Sequence, residues 1–161
     1  MKATKGFTLI ELLIVISIIG VLVTLGIASS GAIQNMARRR AAESTIKSLE
    51  AALSMYKTSY GIYPNDESAK SVMNDLTGYK SSPDQPDALY LDDATWNGPY
   101  FTADAKEFEE GKRNMALLDP WSSPYRFNLS DPKHNPFSCD IWSLGENRED
   151  EGGQGDDLKN W

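Results

Sequence analysis

Two sets of carboxylates in this sequence have types and spacings that could do chemistry. The first is a single residue. Glu11 is the only ionisable side chain in "FTLIELLIVISIIGVLVTLGIA", residues 7–28. An ionisable group inside an apolar membrane segment is costly and usually takes a partner. It can be neutralised by a nearby cation, or it can snorkel to the membrane edge, since it sits near one end of the run. The second set is the closing stretch "LGENREDEGGQGDDLKNW", residues 144–161. Closely spaced Asp and Asn oxygens on a glycine-flexible loop are hard ligands suited to Ca²⁺, which takes about 6–8 oxygens. The spacing is not that of an EF-hand. An acidic, glycine-rich tail can equally be a solvated, disordered one. Two features favour order: the stretch follows directly from a strand-like run, and it ends in Trp161, an apolar group suited to docking.

Other chemistry is sparse. His134 is the only histidine, and it lies in the turn-like "DPKHNP", which places it at the surface. No HExxH, P-loop or GxSxG motif is present, and no pair of carboxylates stands out from the acidic background, so the sequence predicts no enzyme. Cys139 is the only cysteine, which excludes an intramolecular disulfide. Between Phe137 and Ile141 it reads as a small buried hydrophobe. The net charge of −7 argues against nucleic-acid binding. The one dense basic cluster, Arg38 to Arg40, reads as the solvated face of a helix.

The elements that must position these groups follow from periodicity. As a helix, residues 7–28 would span about 33 Å, enough to cross a bilayer and too long for a secretory signal core. Lys2 and Lys5 place the N-terminus in the cytoplasm; the three arginines lie well beyond the span. Apolar residues then recur at helical spacing, through Ile33, Met36, Ile46, Leu49, Leu53, Tyr56 and Tyr60. The pattern predicts one long helix from about Phe7 to Tyr60, passing through the weak helix formers of "TLGIASSG" and ending at Gly61 and Pro64. A short second helix, capped by Asn65 or Asp66, runs to about Leu76 with Ala69, Val72, Met73 and Leu76 on one face. Residues 80–95 read as a loop. "WNGPYF" (96–101), "LLDPWSSPYRFNL" (117–129) and "FSCDIWSLG" (137–145) carry turn and strand signals, with Trp121 and Tyr125 as core anchors. The fold class is α+β: a long N-terminal helix packed on a small antiparallel sheet.

The order "KGFTLIE" gives a more specific reading. A short basic leader ends in Gly6, and Phe7 already lies in the apolar run. This resembles the class III signal of type IV pilins and type II secretion pseudopilins. Further along, "YGIYP", "GPY", "DPWSSPY", "DIWSLG", "EGGQGDD" and "NW" occur in the order seen in the major, G-type pseudopilin. That family typically has Asp-Pro-Trp-Gly-Asn-Pro-Tyr where this chain has "DPWSSPY". The segments around 80–95 and 103–116 look like insertions.

The resemblance implies a pilin-like fold. It implies that a prepilin peptidase removes the leader, residues 1–6, by cutting between Gly6 and Phe7, and methylates Phe7. Glu11 would then neutralise the new amine, on the same or a neighbouring subunit. Residues 7–28 would form the transmembrane and filament-core helix, and 29–161 a periplasmic globular domain that includes the amphipathic half of the helix. It implies a calcium site in the C-terminal loop, using the carbonyl of Leu144 and the side chains of Asn147, Asp156 and Asp157, with Asp150 as an alternative to Asn147. The implied function is that of a structural subunit of the type II secretion pseudopilus, a filament that drives export of folded proteins. The implied partners are other copies of itself, the peptidase, the inner-membrane assembly platform, minor pseudopilins, and membrane lipid before assembly. The location would be the inner membrane, with the C-terminal domain periplasmic. The alternative is a type IV pilus subunit for adhesion, motility or DNA uptake; such pilins commonly carry a C-terminal disulfide, which one cysteine cannot form.

Overall fold

A computed structural model describes residues 7–80, 88–89, 96–113 and 115–161, and for 24–30, 80 and 88–89 the backbone alone. The expected leader and Gly6 lie outside the described residues, as does most of the expected loop 80–95. The chain divides into two compact units, Met1–Ala37 and Arg38–Trp161. Helix α1, Leu9–Tyr60, runs without interruption through both, including the weak helix formers near residue 28.

In the first unit α1 starts with a reciprocal cap. The Thr8 amide and hydroxyl both donate to Glu11 Oε2, at 2.9 and 2.7 Å, and Thr8 Oγ1 accepts from the Glu11 amide at 3.3 Å. This capping box satisfies donors that the first helical turn leaves open. Every side chain from Phe7 to Val23 is exposed, on all faces of the helix. Among the described residues no helix is long and apolar enough to cross a membrane; the described side chains of the apolar run stop at Val23, short of the expected 7–28.

In the second unit the buried stripe of α1 begins later than expected. Ile33 and Met36, which fall in the first unit, are exposed, whereas in the second Ala42, Ile46, Leu49, Ala52 and Leu53 are buried at spacings of mostly three and four residues. Each large aliphatic side chain removed from water here contributes about 1.5–3 kcal/mol. Helix α2, Ala69–Thr77, closes over the same core with Val72, Met73 and Leu76. Its N-cap is Ser68 rather than Asn65 or Asp66: Asp66 Oδ1 accepts from the Ser68 amide at 2.9 Å, which turns the chain and hands the cap to the next hydroxyl. Gly78, at φ +77°, ends α2 with its amide on the Asn74 carbonyl.

Strands β1 (Tyr79–Lys80) and β2 (Ala88–Leu89) pair antiparallel; β2 lies inside the stretch read as a loop and β1 at its edge. Residues 96–101 form no strand; the Tyr100 and Phe101 amides instead donate to the Leu76 carbonyl, pinning this segment to the end of α2. The main sheet is antiparallel, in the order β3 (Arg126–Asn128), β4 (Asp140–Ser143), β5 (Leu158–Lys159). Phe127 pairs with Ile141, and Ser143 with Leu158. Strand β4 is shorter than the 137–145 run, and Phe137 is almost fully exposed. Trp121, Tyr125 and Cys139 are buried, as expected, and burial pushes the Cys139 thiol up to about 11, which keeps it protonated and unreactive.

One long-range carboxylate joins the helical and sheet parts. Glu67 Oε1 accepts from the Leu129 amide, the Ser130 amide and the Ser130 hydroxyl, at 2.9, 2.7 and 2.7 Å. The Ser130 hydroxyl, with the two amides, holds the Glu67 pKa below its ordinary 4.5. A lowered folded-state pKa contributes stability that is present above the unfolded value and lost as pH falls through the folded one. Glu67→Gln should therefore destabilise the protein at pH 7, and the difference from wild type should shrink at an acidic pH below the lowered Glu67 pKa. Denaturant unfolding at both pH values checks this; a difference independent of pH would mean that the charge contributes nothing.

Candidate metal centre

The C-terminal stretch is an ordered loop that leaves β4 at Ser143 and returns to the sheet as β5. Gly145 makes the first bend at φ +66°. A Cβ there would lie 2.5 Å from the Asp156 carbonyl oxygen and 2.8 Å from its Oδ2, so only glycine allows the two ends of the loop to close. Asp156 Oδ2 accepts from the amides of Glu146 and Asn147, at 2.7 and 3.0 Å. Asp157 Oδ2 accepts from the amides of Glu151 and Gly153, at 3.2 and 2.8 Å. Each aspartate thus uses one oxygen to hold the backbone of the loop.

The other two oxygens are the chemically informative ones. Asp156 Oδ1 and Asp157 Oδ1 are buried and have no hydrogen-bond partner. Carboxylate oxygens from Glu151, Asp156 and Asp157 lie within 4.8 Å of one another. Glu151 Oε2 also accepts from the Asn147 side-chain amide and the Asp156 amide, both at 3.2 Å. Burial pushes the Asp157 pKa up; the Gly153 and Glu151 amides oppose this, and the charges of Asp150 and Glu151 add to it. Buried carboxylate oxygens without donors are expensive unless something supplies positive charge. All donors in the cluster are oxygens, a set that fits a hard divalent cation and gives no reason to expect a soft one.

The expected ligand residues are placed as follows. Asp156 and Asp157 belong to the cluster. Leu144 is buried at the entry of the loop. Asn147 is exposed, and its Oδ1 accepts from the Glu149 amide at 2.7 Å. Asp150 faces elsewhere: its Oδ1 accepts from Trp142 Nε1 and the Gly152 amide, both at 3.1 Å, and its Oδ2 lies 3.9 Å from Arg126 Nε. Glu151 was not among the expected residues. Nothing in "ENREDE" distinguishes one acid from its neighbours, because the choice depends on how Gly152, Gly153 and Gly155, all at positive φ, fold the chain back.

Trp161 docks as its position suggests. Its ring stacks on His134, with centroids 4.3 Å apart and planes 6° from parallel, and its edge meets Trp142. Lys159 Nζ lies over the same ring at 5.3 Å and donates to the Gly153 carbonyl. His134 is exposed in a turn, as expected, yet it also clamps the chain terminus: its Nδ1 lies 3.3 Å from Asp140 Oδ2. Burial alone would raise the Asp140 pKa, but the amides of His134, Asn135 and Lys133 outweigh it and lower it.

Comparison with known proteins places this architecture. Residues 31–161 match the family described as "Type II secretion system (T2SS), protein G", and residues 1–27 match the "Prokaryotic N-terminal methylation motif". The chain belongs to the type II secretion system protein G family. It is 32% identical to the type II secretion system core protein G of Klebsiella pneumoniae, over all of this chain and 96% of that one. It is 31% identical to that of Aeromonas hydrophila, over 99% of this chain and 94% of the relative. It is 29% identical to that of Pseudomonas aeruginosa, over 99% and 96%. The crystal structure of the major pseudopilin from the type 2 secretion system of enterohaemorrhagic Escherichia coli covers 82% of this chain and 93% of its own, at 20% identity and a TM-score of 0.47.

Packing of Trp161 depends on Gly153, which sits at φ +79° with the indole ring where a Cβ would be. Gly153→Ala should displace Trp161 from His134 and cost at least about 1 kcal/mol. Acrylamide quenching of tryptophan fluorescence should increase. Quenching and stability equal to wild type would show that the stack does not hold the terminus.

Proposed function

We propose that the chain is a structural subunit of the type II secretion pseudopilus, assembled from the membrane into a filament. The observation that carries this reading is in the first unit of the protein: residues Phe7 to Val23, apolar but for Thr8, Glu11 and Ser17, are exposed on every face of the helix. So large a patch of apolar surface needs a partner. Lipid would cover residues 7–28 before assembly, with the N-terminus cytoplasmic and residues 29–161 periplasmic, and neighbouring copies would cover them in the filament. Prepilin peptidase, the assembly platform in the inner membrane and minor pseudopilins complete the set of partners.

Processing brings Glu11 into use. Cleavage between Gly6 and Phe7 would create a cationic amine one residue before Thr8, whose amide Glu11 already accepts. The carboxylate is then one helical turn from a charge of opposite sign, on its own subunit or the next. Mass spectrometry of the mature protein should find a methylated N-terminal Phe7; an intact Met1, or a cut near Ala28, contradicts the assignment. Glu11→Leu should insert into the membrane normally, since it removes a group that costs up to about 3 kcal/mol there, but should fail to form filaments. Filaments of wild-type yield and length would mean that the carboxylate only snorkels.

The loop at 144–161 supplies the staple that a chain without disulfides lacks. Ca²⁺ held by Asp156, Asp157 and Glu151, with the Leu144 carbonyl and Asn147 from the family's pattern, would give the orphaned oxygens a counter-charge. Asp150, engaged by Trp142 and Arg126, would support the loop from outside. Free calcium at about 100 times the dissociation constant should add about 2.7 kcal/mol of stability. Thermal unfolding of the full chain in detergent, with calcium and with chelator, measures it. Asp156→Ala and Asp157→Ala should abolish the increment; a midpoint that ignores calcium in the wild-type chain removes the metal from the account.

A further inference from the structure

A buried carboxylate far from the loop in sequence reaches its entry. Asp119, in "DPWSSPY", is 5% exposed. Its Oδ1 accepts from the amides of Trp121 and Ser123, at 2.9 and 2.8 Å, which closes the turn. Its Oδ2 accepts from Ser143 Oγ at 2.6 Å. Ser143 is fully buried at the end of β4, and its Oγ in turn accepts from the Gly145 amide at 3.2 Å.

The direction of this relay is fixed by chemistry. An ionised carboxylate only accepts, so the single hydroxyl proton of Ser143 must point to Asp119. That leaves the serine oxygen's lone pairs for Gly145. The Gly145 N–H and the Leu144 C=O belong to one planar trans peptide, so holding the first sets the direction of the second. The same glycine is in close approach to Asp156.

We propose that Asp119 is a positioning residue for the metal loop: acting through Ser143 Oγ, it holds the Gly145 N–H and thereby aims the Leu144 carbonyl for the cation. The inference rests on the calcium reading of the loop given above. Two substitutions separate it from a merely structural role. Asp119→Asn can keep its oxygen on the Trp121 and Ser123 amides. Its NH₂ then donates to Ser143 Oγ, so the serine proton loses its carboxylate acceptor and must turn away; the oxygen keeps a lone pair for Gly145, but the charge-assisted bond that fixes the serine is gone. Ser143→Ala leaves the Asp119 turn intact and removes the relay directly.

The test is calcium titration of the full chain in detergent by isothermal titration calorimetry, paired with thermal unfolding in chelator. Both variants should bind calcium about 10–100-fold more weakly than wild type, the range found when groups that orient metal ligands are removed. The calcium-induced rise in unfolding midpoint should shrink in step. Variants that unfold earlier in chelator yet bind calcium as tightly as wild type would overturn the proposal and leave Asp119 a turn residue. Should Asp119→Asn fail to fold, Ser143→Ala alone decides between these outcomes. A wild-type chain that binds no calcium would instead overturn the metal reading itself, and the positioning role with it.

Discussion

Carboxylates gripping backbone N–H groups hold the turns of this protein. Glu67 takes the amides of Leu129 and Ser130, Asp119 those of Trp121 and Ser123, and Asp140 those of Lys133, His134 and Asn135. Asp156 and Asp157 do the same within the C-terminal loop. Charge-assisted bonds of this kind are about twice as strong as neutral ones. The main sheet is made of strands of two to four residues, too short to stand alone. It depends on the buried stripe of α1 behind it and on these turns at its ends. The acidic composition is therefore partly structural, and not only a solvated surface.

The same constraint marks where a cation could be held. At Asp119 and Asp140 both carboxylate oxygens find donors, and at Glu67 one oxygen takes three. At Asp156 and Asp157 one oxygen each is satisfied and one is buried without a partner. A fold that gives these three acids their donors and leaves two adjacent ones half satisfied has a place for positive charge. Glu11 obeys a related rule at the other end: its carboxylate is held by the Thr8 amide and hydroxyl.

Much of this was legible in the sequence, for identifiable reasons. The long helix follows from uninterrupted apolar periodicity, and the burial of Cys139 from its place among strand residues. The docking of Trp161 follows from an apolar terminus after a polar loop. What was not legible depended on tertiary contact. Ile33 and Met36 carry the same period as Ile46 and Leu49, but periodicity cannot say where along a helix the core begins. Ser68 displaced Asp66 as a cap because both hydroxyl and carboxylate were available and local geometry chose. Glu151 could not be told from Glu149 or Asp150 before the glycines folded the chain. The stack of His134 on Trp161 joins two segments that nothing in either one links to the other.

A cation would complete the C-terminal loop. Amide hydrogen exchange of the full chain in detergent, with calcium and with chelator, tests it most directly. The amides of Glu146, Asn147, Glu151 and Gly153, which the two aspartates hold, should be strongly protected with calcium. They should exchange much faster in chelator, while the amides of Trp121, Ser123, Leu129 and Ser130 change little. Equal protection of the loop amides in both conditions would contradict the account, and would mean that the chain holds this cluster of carboxylates without a metal.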